Sequence, residues 1–264
     1  MNPIKPLIHR VLVPLLVTLL ALAGGCVTVP KPDPAQPPHL ADNSAYIVHV
    51  SGVSGPTIFD LWWLDGLRAA GATDDWTIYD WIGDRGMFHS LDAIDENHRI
   101  ADDIAAYITA LRRANPHARI IMSSESGGTA MIIWTLEKLP PDVHVDSVML
   151  LQPDISPGYD LSAAMAHVDR HLFYTTSILD FGTLGFWTHI LGTMDGVKSA
   201  GAGFVGFRPP AGADAAAYHH VVRIRWNLLD LFFIHPGSHS TALSPLYARF
   251  VLGPKLAEDT KNGK

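Results

Sequence analysis

The sequence predicts an α/β protein with a mostly parallel central sheet and helices on both faces. Short apolar runs typical of strands alternate along the chain with segments of helical spacing. Such alternation indicates parallel strands joined by helices that cover the sheet on both sides. The chain is also 48% hydrophobic, so one domain can bury a large core.

The predicted elements follow one another from residue 45 onward. Ile100, Ile104, Ile108 and Leu111 have the spacing of a one-faced helix, which Asn115 and Pro116 end. The predicted strands are 45–50, 76–82, 119–122, 145–151, 171–176 and 220–226, and the predicted helices are 57–70, 97–114, 129–139, 161–168, 183–191 and 242–252.

The first 25 residues have the order of a signal peptide. Basic residues precede an apolar stretch, 11–22, which is shorter than the ~20 residues needed to span a bilayer. Small residues then lead into the lone cysteine, Cys26, and resemble a bacterial lipobox in which Ala23 stands where leucine is usual. The sequence therefore predicts a lipidated Cys26, with plain secretion and an uncleaved anchor as the alternatives.

Residues 26–41 are predicted to be a Pro-rich tether, with prolines at 30, 32, 34, 37 and 38. Residues 42–264 are predicted to form a single domain. The formal charge of −7, without a basic run, argues against nucleic acid as a partner. A single cysteine allows no disulfide within the chain.

Ser124-Glu125-Ser126-Gly127-Gly128 lies between a predicted strand and a predicted helix. A small-x-Ser-x-Gly sequence in this position is typical of a sharp turn that exposes a nucleophilic serine. Ser126 is therefore the candidate nucleophile. Serine and glycine also make ordinary loops, so the residues that follow must support this role.

Asp180 is the preferred candidate acid, because it follows the strand 171–176 among apolar neighbours where an unpaired carboxylate would be costly. Asp195, in a turn-like Gly-Thr-Met-Asp-Gly sequence, and Asp154, after the preceding strand, are the alternatives. A helix cap or loop carboxylate is the structural alternative for Asp180.

His239 is the preferred candidate base, since it lies on the loop after the last predicted strand and Gly237 gives that loop backbone freedom. Ser240 and Thr241 are expected to cap the closing helix 242–252. His235 precedes a proline and is expected to be structural. An imidazole oriented by a carboxylate can take the proton of an attacking serine.

The glycine loop 51–55 follows the first predicted strand and is a candidate source of oxyanion donors. The amide of Gly127, directly after the nucleophile, is one expected donor, and that of Val53 is the other, with the amide of Ser54 as its alternative. A tight turn without a catalytic role is the alternative. The loop lacks the lysine of a phosphate-binding loop.

The chain resembles the α/β-hydrolase superfamily over about residues 45–252, and in particular uncharacterised bacterial esterase-like and lipase-like lipoproteins. The matching segments are the glycine loop 51–55, the serine turn 124–128, and 156–161, 174–180, 192–196, 202–207 and 237–239. Ser124 stands in place of the usual first glycine, and Glu125 where many members have histidine. The resemblance implies a triad of Ser126, Asp180 and His239 that hydrolyses a carboxylic ester through an acyl-enzyme.

We therefore expect an ester hydrolase at the bacterial cell envelope, attached through Cys26, that needs no metal or organic cofactor. A non-catalytic binding or scaffold protein with the same fold is the first alternative, since fold does not establish function. An amidase or peptidase with the same triad is the second. The acidic cluster Asp92, Asp95, Glu96 and His98 is interpreted as a solvated helix start rather than a metal site.

Four large apolar residues follow the candidate acid closely. Phe181, Phe186, Trp187 and Leu191 are expected either to line a substrate pocket or to pack in the core.

Overall fold

The computed structural model of the 264-residue chain describes residues 27–261. The predicted signal peptide and Cys26 therefore lie outside the described residues. Within this part of the chain, no helix combines the length and the apolar character that a membrane span requires.

Six parallel strands form one sheet in the order β2-β1-β3-β4-β5-β6. The fully parallel sheet confirms the predicted strand arrangement. The strands are β1 (Ala45–Val50), β2 (Asp75–Tyr79), β3 (Arg119–Glu125), β4 (Ser147–Leu151), β5 (Leu172–Thr176) and β6 (Val221–Arg225).

Helices follow the strands and cover both faces. The α-helices are α1 (Ile58–Ala69), α2 (Met87–Asp92), α3 (Ile94–Ala114), α4 (Gly128–Glu137), α5 (Ser162–Met165), α6 (Thr188–Leu191), α7 (Ala202–Val205), α8 (Ala215–Tyr218), α9 (Pro245–Tyr247) and α10 (Gly253–Lys261). Short 3₁₀ turns cover Gly83–Arg85, Ile178–Phe181, Leu228–Phe233 and His239–Thr241, and π-helical turns cover Gly182–Trp187 and Ala248–Leu252.

Alternate residues of β1 belong to two separate apolar clusters. Tyr46 and Val48 pack with α3 and α4 on one face of the sheet, whereas Ala45 and Ile47 pack with α1 and the C-terminal helices on the other. This division follows from the two-residue period of a strand. It confirms that helices lie on both faces.

Two strand ends differ from the prediction by three residues, and the other strand boundaries lie within two residues of it. β2 stops at Tyr79 rather than 82, because the Asp80 carboxylate accepts hydrogen bonds from the N–H groups of Ile82 and Gly83, at 3.0 and 3.1 Å, and turns the chain. β3 continues to Glu125 rather than ending at 122. Its polar end stays in the sheet because Ser123 and Ser124 pair with β1 and β4.

The closing helical region begins later than predicted, at Pro245. Ser244, and not Ser240 or Thr241, provides the cap, since its side chain accepts a hydrogen bond from the Tyr247 N–H. Proline at the first position favours this start, because it has no N–H that would need a partner there.

The Pro-rich segment from residue 27 to 41 has neither helix nor strand, but it contacts the body of the protein. The N–H of Val27 donates to the carbonyl oxygen of Pro56 at 3.0 Å. At the other end, the Asn115 side chain donates to the carbonyl of Pro38 at 2.8 Å and accepts from the N–H of Leu40 at 2.7 Å. The segment thus starts beside the loop that follows β1.

Candidate active site

Ser126 lies on a strained turn between β3 and α4. Its φ angle is +52°, a left-handed conformation that residues other than glycine seldom adopt. The Ser126 N–H donates to the carbonyl of Leu151 on β4, and its own carbonyl accepts from the N–H of Thr129, both at 3.0 Å. The neighbouring strand and the new helix therefore hold the turn from both sides, as expected for strain kept at a functional position.

Glycines allow the close packing around this turn. A Cβ atom at Gly128 would collide with the carbonyl oxygen of Ser51 and with Oγ of Ser124. A Cβ atom at Gly127 would collide with Cγ1 of Val53. The structure therefore brings together Gly127 and Val53, the two residues whose amides the sequence proposes as oxyanion donors.

Asp180 lies in the 3₁₀ turn that follows β5, and its side chain is buried. Its Oδ1 atom accepts hydrogen bonds from Oγ1 of Thr183 at 2.8 Å and from the backbone N–H of His239 at 3.0 Å. Two donors from different segments thus fix the carboxylate at the carboxyl edge of the sheet.

His239 reaches the same carboxylate with its ring. Its Nδ1 atom lies 3.5 Å from Oδ1 of Asp180. Gly237, two residues earlier, has a φ angle of +92°, and its carbonyl accepts a hydrogen bond from the Gln152 side chain at 3.3 Å. The structure therefore brings the predicted acid and the predicted base together.

Three carboxylates act on the His239 ring. Burial lowers the pKa of His239, but Asp180, Glu125 and Asp154 outweigh burial and raise that pKa to about 9. Burial in turn raises the pKa of Glu125 to about 7 and that of Asp154 to about 7, while His239 opposes both shifts. The charge state of His239 is thus coupled to two carboxyl groups besides Asp180.

Glu125 fills the space beside the glycine loop. Its carboxylate lies where a Cβ atom at Gly52 would be, so glycine is required at that position. One of its oxygens, Oε2, is buried without a hydrogen-bond partner in the described structure. Sequence reasoning named Glu125 only as a departure from a family pattern, yet it is part of the charge environment of His239.

The alternative acids occupy different surroundings. Asp195 accepts hydrogen bonds from the Ser156 N–H at 2.9 Å and from Oγ1 of Thr193 at 2.5 Å, so it stabilises a turn. Asp154 is buried next to β4, which lies between the strand of Ser126 and the strand of Asp180. Asp154 is therefore the alternative acid that stays close to the site.

His235, the alternative base, is fully buried. Its Nδ1 atom lies 3.1 Å from Oγ1 of Thr241, and its ring packs on Tyr247 with centroids 4.5 Å apart. Burial lowers the pKa of His235 to about 4. His235 is therefore a neutral histidine of the core.

A second Ser-His-Asp chain, which sequence reasoning missed, lies inside the protein. His49 on β1 bonds Oγ of Ser123 through Nδ1 and Oδ1 of Asp60 through Nε2, each at 2.8 Å. All three residues are buried, and Asp60 also accepts from the N–H of Thr57 at 2.7 Å. Two features of the sequence could have indicated this buried chain. His49 is a polar residue within the apolar run 45–50. Asp60 lies three residues after Thr57, which caps α1.

The four apolar residues after Asp180 are not in the core. Phe181, Phe186, Trp187 and Leu191 are each more than half exposed. Core packing is therefore wrong for them. The chain leaves the sheet after β5 through irregular 3₁₀ and π turns, and these four side chains lie on the exposed side of those turns and of α6.

No group of His, Cys, Asp and Glu side chains within the described residues is arranged to hold a metal ion. In the acidic cluster near residue 95, Glu96 pairs with His89 at 2.9 Å and with Arg85 at 3.6 Å.

A parallel sheet with a strained serine turn after a central strand, an acidic residue after a later strand and a histidine after the last strand is the arrangement typical of the α/β-hydrolase fold. The described chain has all of these in that order. The predicted fold class is therefore confirmed.

No protein-family model matches the chain, and no curated protein matches it in sequence. Several solved structures are similar to it. Lipase B of Aspergillus fumigatus is 15% identical over 82% of this chain, with a TM-score of 0.49, and the chain spans about half (53%) of that lipase. A cutinase-like protein from Cryptococcus sp. is 14% identical over 82% of this chain and 94% of its own, with a TM-score of 0.40.

An acetylxylan esterase is 10% identical over 84% of this chain and 98% of its own, with a TM-score of 0.45. At these identities the chemistry has to be inferred from the residues of the site.

Proposed function

We propose that this protein is a serine hydrolase that cleaves carboxylic esters through an acyl-enzyme. The observation that supports this function best is the Asp180–His239 pair at the sheet edge where the strained turn presents Ser126. A strained non-glycine residue there has a structural cost, which is understandable if its side chain has to be presented to a substrate.

Each residue has a distinct role in the proposed reaction. Oγ of Ser126 attacks the ester carbonyl carbon while Nε2 of His239 accepts the serine proton, and Asp180 orients the ring through Nδ1. The amides of Gly127 and Val53 stabilise the oxyanion of the tetrahedral intermediate. The C–O bond to the alcohol then breaks, and the alcohol takes the proton from His239.

Deacylation follows the same path with water. His239 removes a proton from a water molecule, the resulting nucleophile attacks the acyl carbon, and Ser126 recovers its proton as the acid leaves. The negative charges of Glu125 and Asp154 favour the imidazolium that forms in both half-reactions.

A fluorophosphonate probe tests the nucleophile directly. We expect the purified protein to be labelled, Ser126→Ala to lose all labelling, and Ser124→Ala, two residues away, to keep it. Labelling that persists in Ser126→Ala would contradict the assignment. If the folded native protein is not labelled, the non-catalytic binding or scaffold function is favoured instead.

Substrate comparison separates ester from amide chemistry. We expect turnover of p-nitrophenyl esters and none of the matching anilides. Faster cleavage of the anilides would support the amidase or peptidase alternative.

We also propose that a lipid on Cys26 holds the protein at the bacterial cell envelope. Intact-mass measurement of the protein from membranes is expected to show a lipid on an N-terminal cysteine. Cys26→Ser is expected to lack that mass, and a native protein that carries no lipid would support plain secretion.

A further inference from the structure

Two segments of the described chain expose large apolar side chains at high density. Seven lie in residues 178–191 and five in 228–234, among them Ile178, Trp187, Leu228 and Phe232. We call the exposed apolar side chains of these two segments the apolar rim. Soluble monomers rarely present so many large apolar side chains together, and such patches mark interaction surfaces.

Both segments lie beside the candidate active site. Residues 178–191 follow β5 and contain Asp180, and 228–234 follow β6 and lead into the loop of His239. The loop that follows the second segment packs on the first, since a Cβ atom at Gly237 would lie 3.0 Å from Cβ of Leu179. The apolar rim therefore occupies the carboxyl edge of the sheet next to the catalytic pair.

The apolar rim exposes no ionised carboxylate or ammonium group. The only acidic residues of the two segments are Asp180 and Asp230, which are 2% and 3% exposed, and neither segment contains lysine or arginine. The Asp230 carboxylate accepts a hydrogen bond from the backbone N–H of Asn227 at 3.0 Å. The apolar rim thus has no carboxylate, lysine or arginine group at its surface, although the whole chain has a formal charge of −7. Such a surface can enter an apolar medium without the cost of burying a charge.

The N-terminal segment leads to the same edge of the sheet. Val27 is hydrogen-bonded to Pro56, which belongs to the loop after β1 and lies at the carboxyl edge. The residue before Val27 is Cys26, the predicted lipid attachment site. A lipid at that position would place a bilayer on the side of the molecule where the apolar rim lies.

We propose that the apolar rim docks on a phospholipid bilayer, with the carboxyl edge of the sheet facing the lipid. Apolar side chains that enter the headgroup–acyl boundary supply a second attachment besides the lipid, and two weak attachments together give stable binding. The surface has no basic cluster, so docking depends on apolar burial and does not require anionic lipid. This inference does not depend on the proposed ester hydrolysis.

Tryptophan quenching locates the docked surface. The mature chain, which begins at residue 26 and carries Cys26→Ser, lacks both the lipid and the apolar stretch 11–22; it is mixed with phosphatidylcholine vesicles whose acyl chains carry bromine. We expect bromine to quench the fluorescence, and Trp187→Phe to remove most of the quenching. Trp62→Phe is the control, because Trp62 is 46% exposed on α1, outside the apolar rim. Equal quenching in the two variants would overturn the proposal.

Vesicle affinity provides a second, matched comparison. Phe232 and Phe88 are 78% and 76% exposed, so replacing either with serine removes a similar exposed surface. In the Cys26→Ser background, Phe232→Ser is expected to weaken binding to phosphatidylcholine vesicles about tenfold, and Phe88→Ser to leave it unchanged. Unchanged binding in Phe232→Ser overturns the proposal. A dimer that Phe232→Ser dissociates, without loss of vesicle binding, also overturns it and assigns the surface to a second copy of the chain.

Discussion

The Asp180 carboxylate binds both the backbone and the ring of His239. Its Oδ1 atom accepts the His239 N–H at 3.0 Å and lies 3.5 Å from Nδ1 of the same residue. Oδ2 of Asp180 and Nδ1 of His239 are both buried, and neither has a hydrogen-bond partner among residues 27–261. The contact between Nδ1 and Oδ1 is therefore an ion-pair contact that is longer than a hydrogen bond.

Asp180→Asn tests this pairing. The amide keeps the size of the side chain but cannot stabilise the imidazolium, so we expect kcat on a p-nitrophenyl ester to fall by roughly 10³–10⁴-fold. Asp195→Asn is the control, since the hydrogen bonds of that carboxylate are with Ser156 and Thr193. If Asp180→Asn stays active and Asp154→Asn does not, Asp154 is the acid.

The pH profile tests the charge environment of His239. Only the neutral ring can accept the serine proton, and its pKa is raised to about 9, so kcat/KM is expected to rise with pH and level off above about 9. Glu125→Gln removes one of the negative charges that raise this pKa. The midpoint of the rise is therefore expected to move to lower pH.

Asp154→Asn is expected to move that midpoint in the same direction, because Asp154 also raises the pKa of His239. A midpoint that stays fixed in both variants would show that neither carboxylate acts on the base.

Glu125 also carries a cost in stability. Burial raises its pKa from 4.5 to about 7, so between these values the folded state binds more protons than the unfolded state. Stability attributable to this group is therefore present below pH 4.5 and is lost as pH rises to 7. Glu125→Gln removes the loss, and denaturant unfolding at pH 8 is expected to show a gain of up to about 3 kcal/mol.

At pH 4, Glu125→Gln and the native protein are expected to differ little, since the carboxyl group is then neutral in both states. An equal gain at pH 4 and pH 8 would indicate a packing effect instead.

The contact between Gly127 and Val53 tests the oxyanion donors. In Gly127→Ala the new Cβ atom collides with Cγ1 of Val53 and displaces the two amides. We expect kcat to fall about 10²-fold, the size of a lost oxyanion donor. Adding Val53→Ala removes the colliding atom, and the double variant is expected to recover part of the activity. No recovery would show that the contact does not govern the donors.

The sequence was sufficient to predict the sheet and the edge at which Asp180 and His239 meet and to which the Ser126 turn belongs. Ser126, Asp180 and His239 each follow a strand whose apolar pattern is clear, and parallel strands bring their carboxyl ends to one edge. The ends of β2 and of the closing helix were missed because single side chains, Asp80 and Ser244, fix them.

The charge environment and the apolar rim could not be predicted in the same way. Glu125 and Asp154 affect His239 through space, from positions that local patterns assign only to a turn and to a loop. The exposure of Trp187 depends on whether another element covers the segment after β5, and spacing along the chain does not contain that information.

The buried chain of Ser123, His49 and Asp60 has the residue types of a triad but is closed to solvent. His49→Ala leaves Asp60 without one partner and creates a cavity in the core, so we expect a loss of about 3–5 kcal/mol in the free energy of unfolding. Ser123→Ala removes one hydrogen bond and is expected to cost about 1 kcal/mol. Denaturant unfolding measures both.

The same Ser123→Ala variant separates structure from catalysis. Fluorophosphonate labelling is expected to persist in it, because a substrate cannot reach Ser123, which is fully buried within β3, whereas Ser126 keeps 7% of its surface exposed on the turn that follows. If Ser123→Ala folds but loses the label, the buried chain is the one that activates the nucleophile, and Asp180 and His239 hold the loops instead.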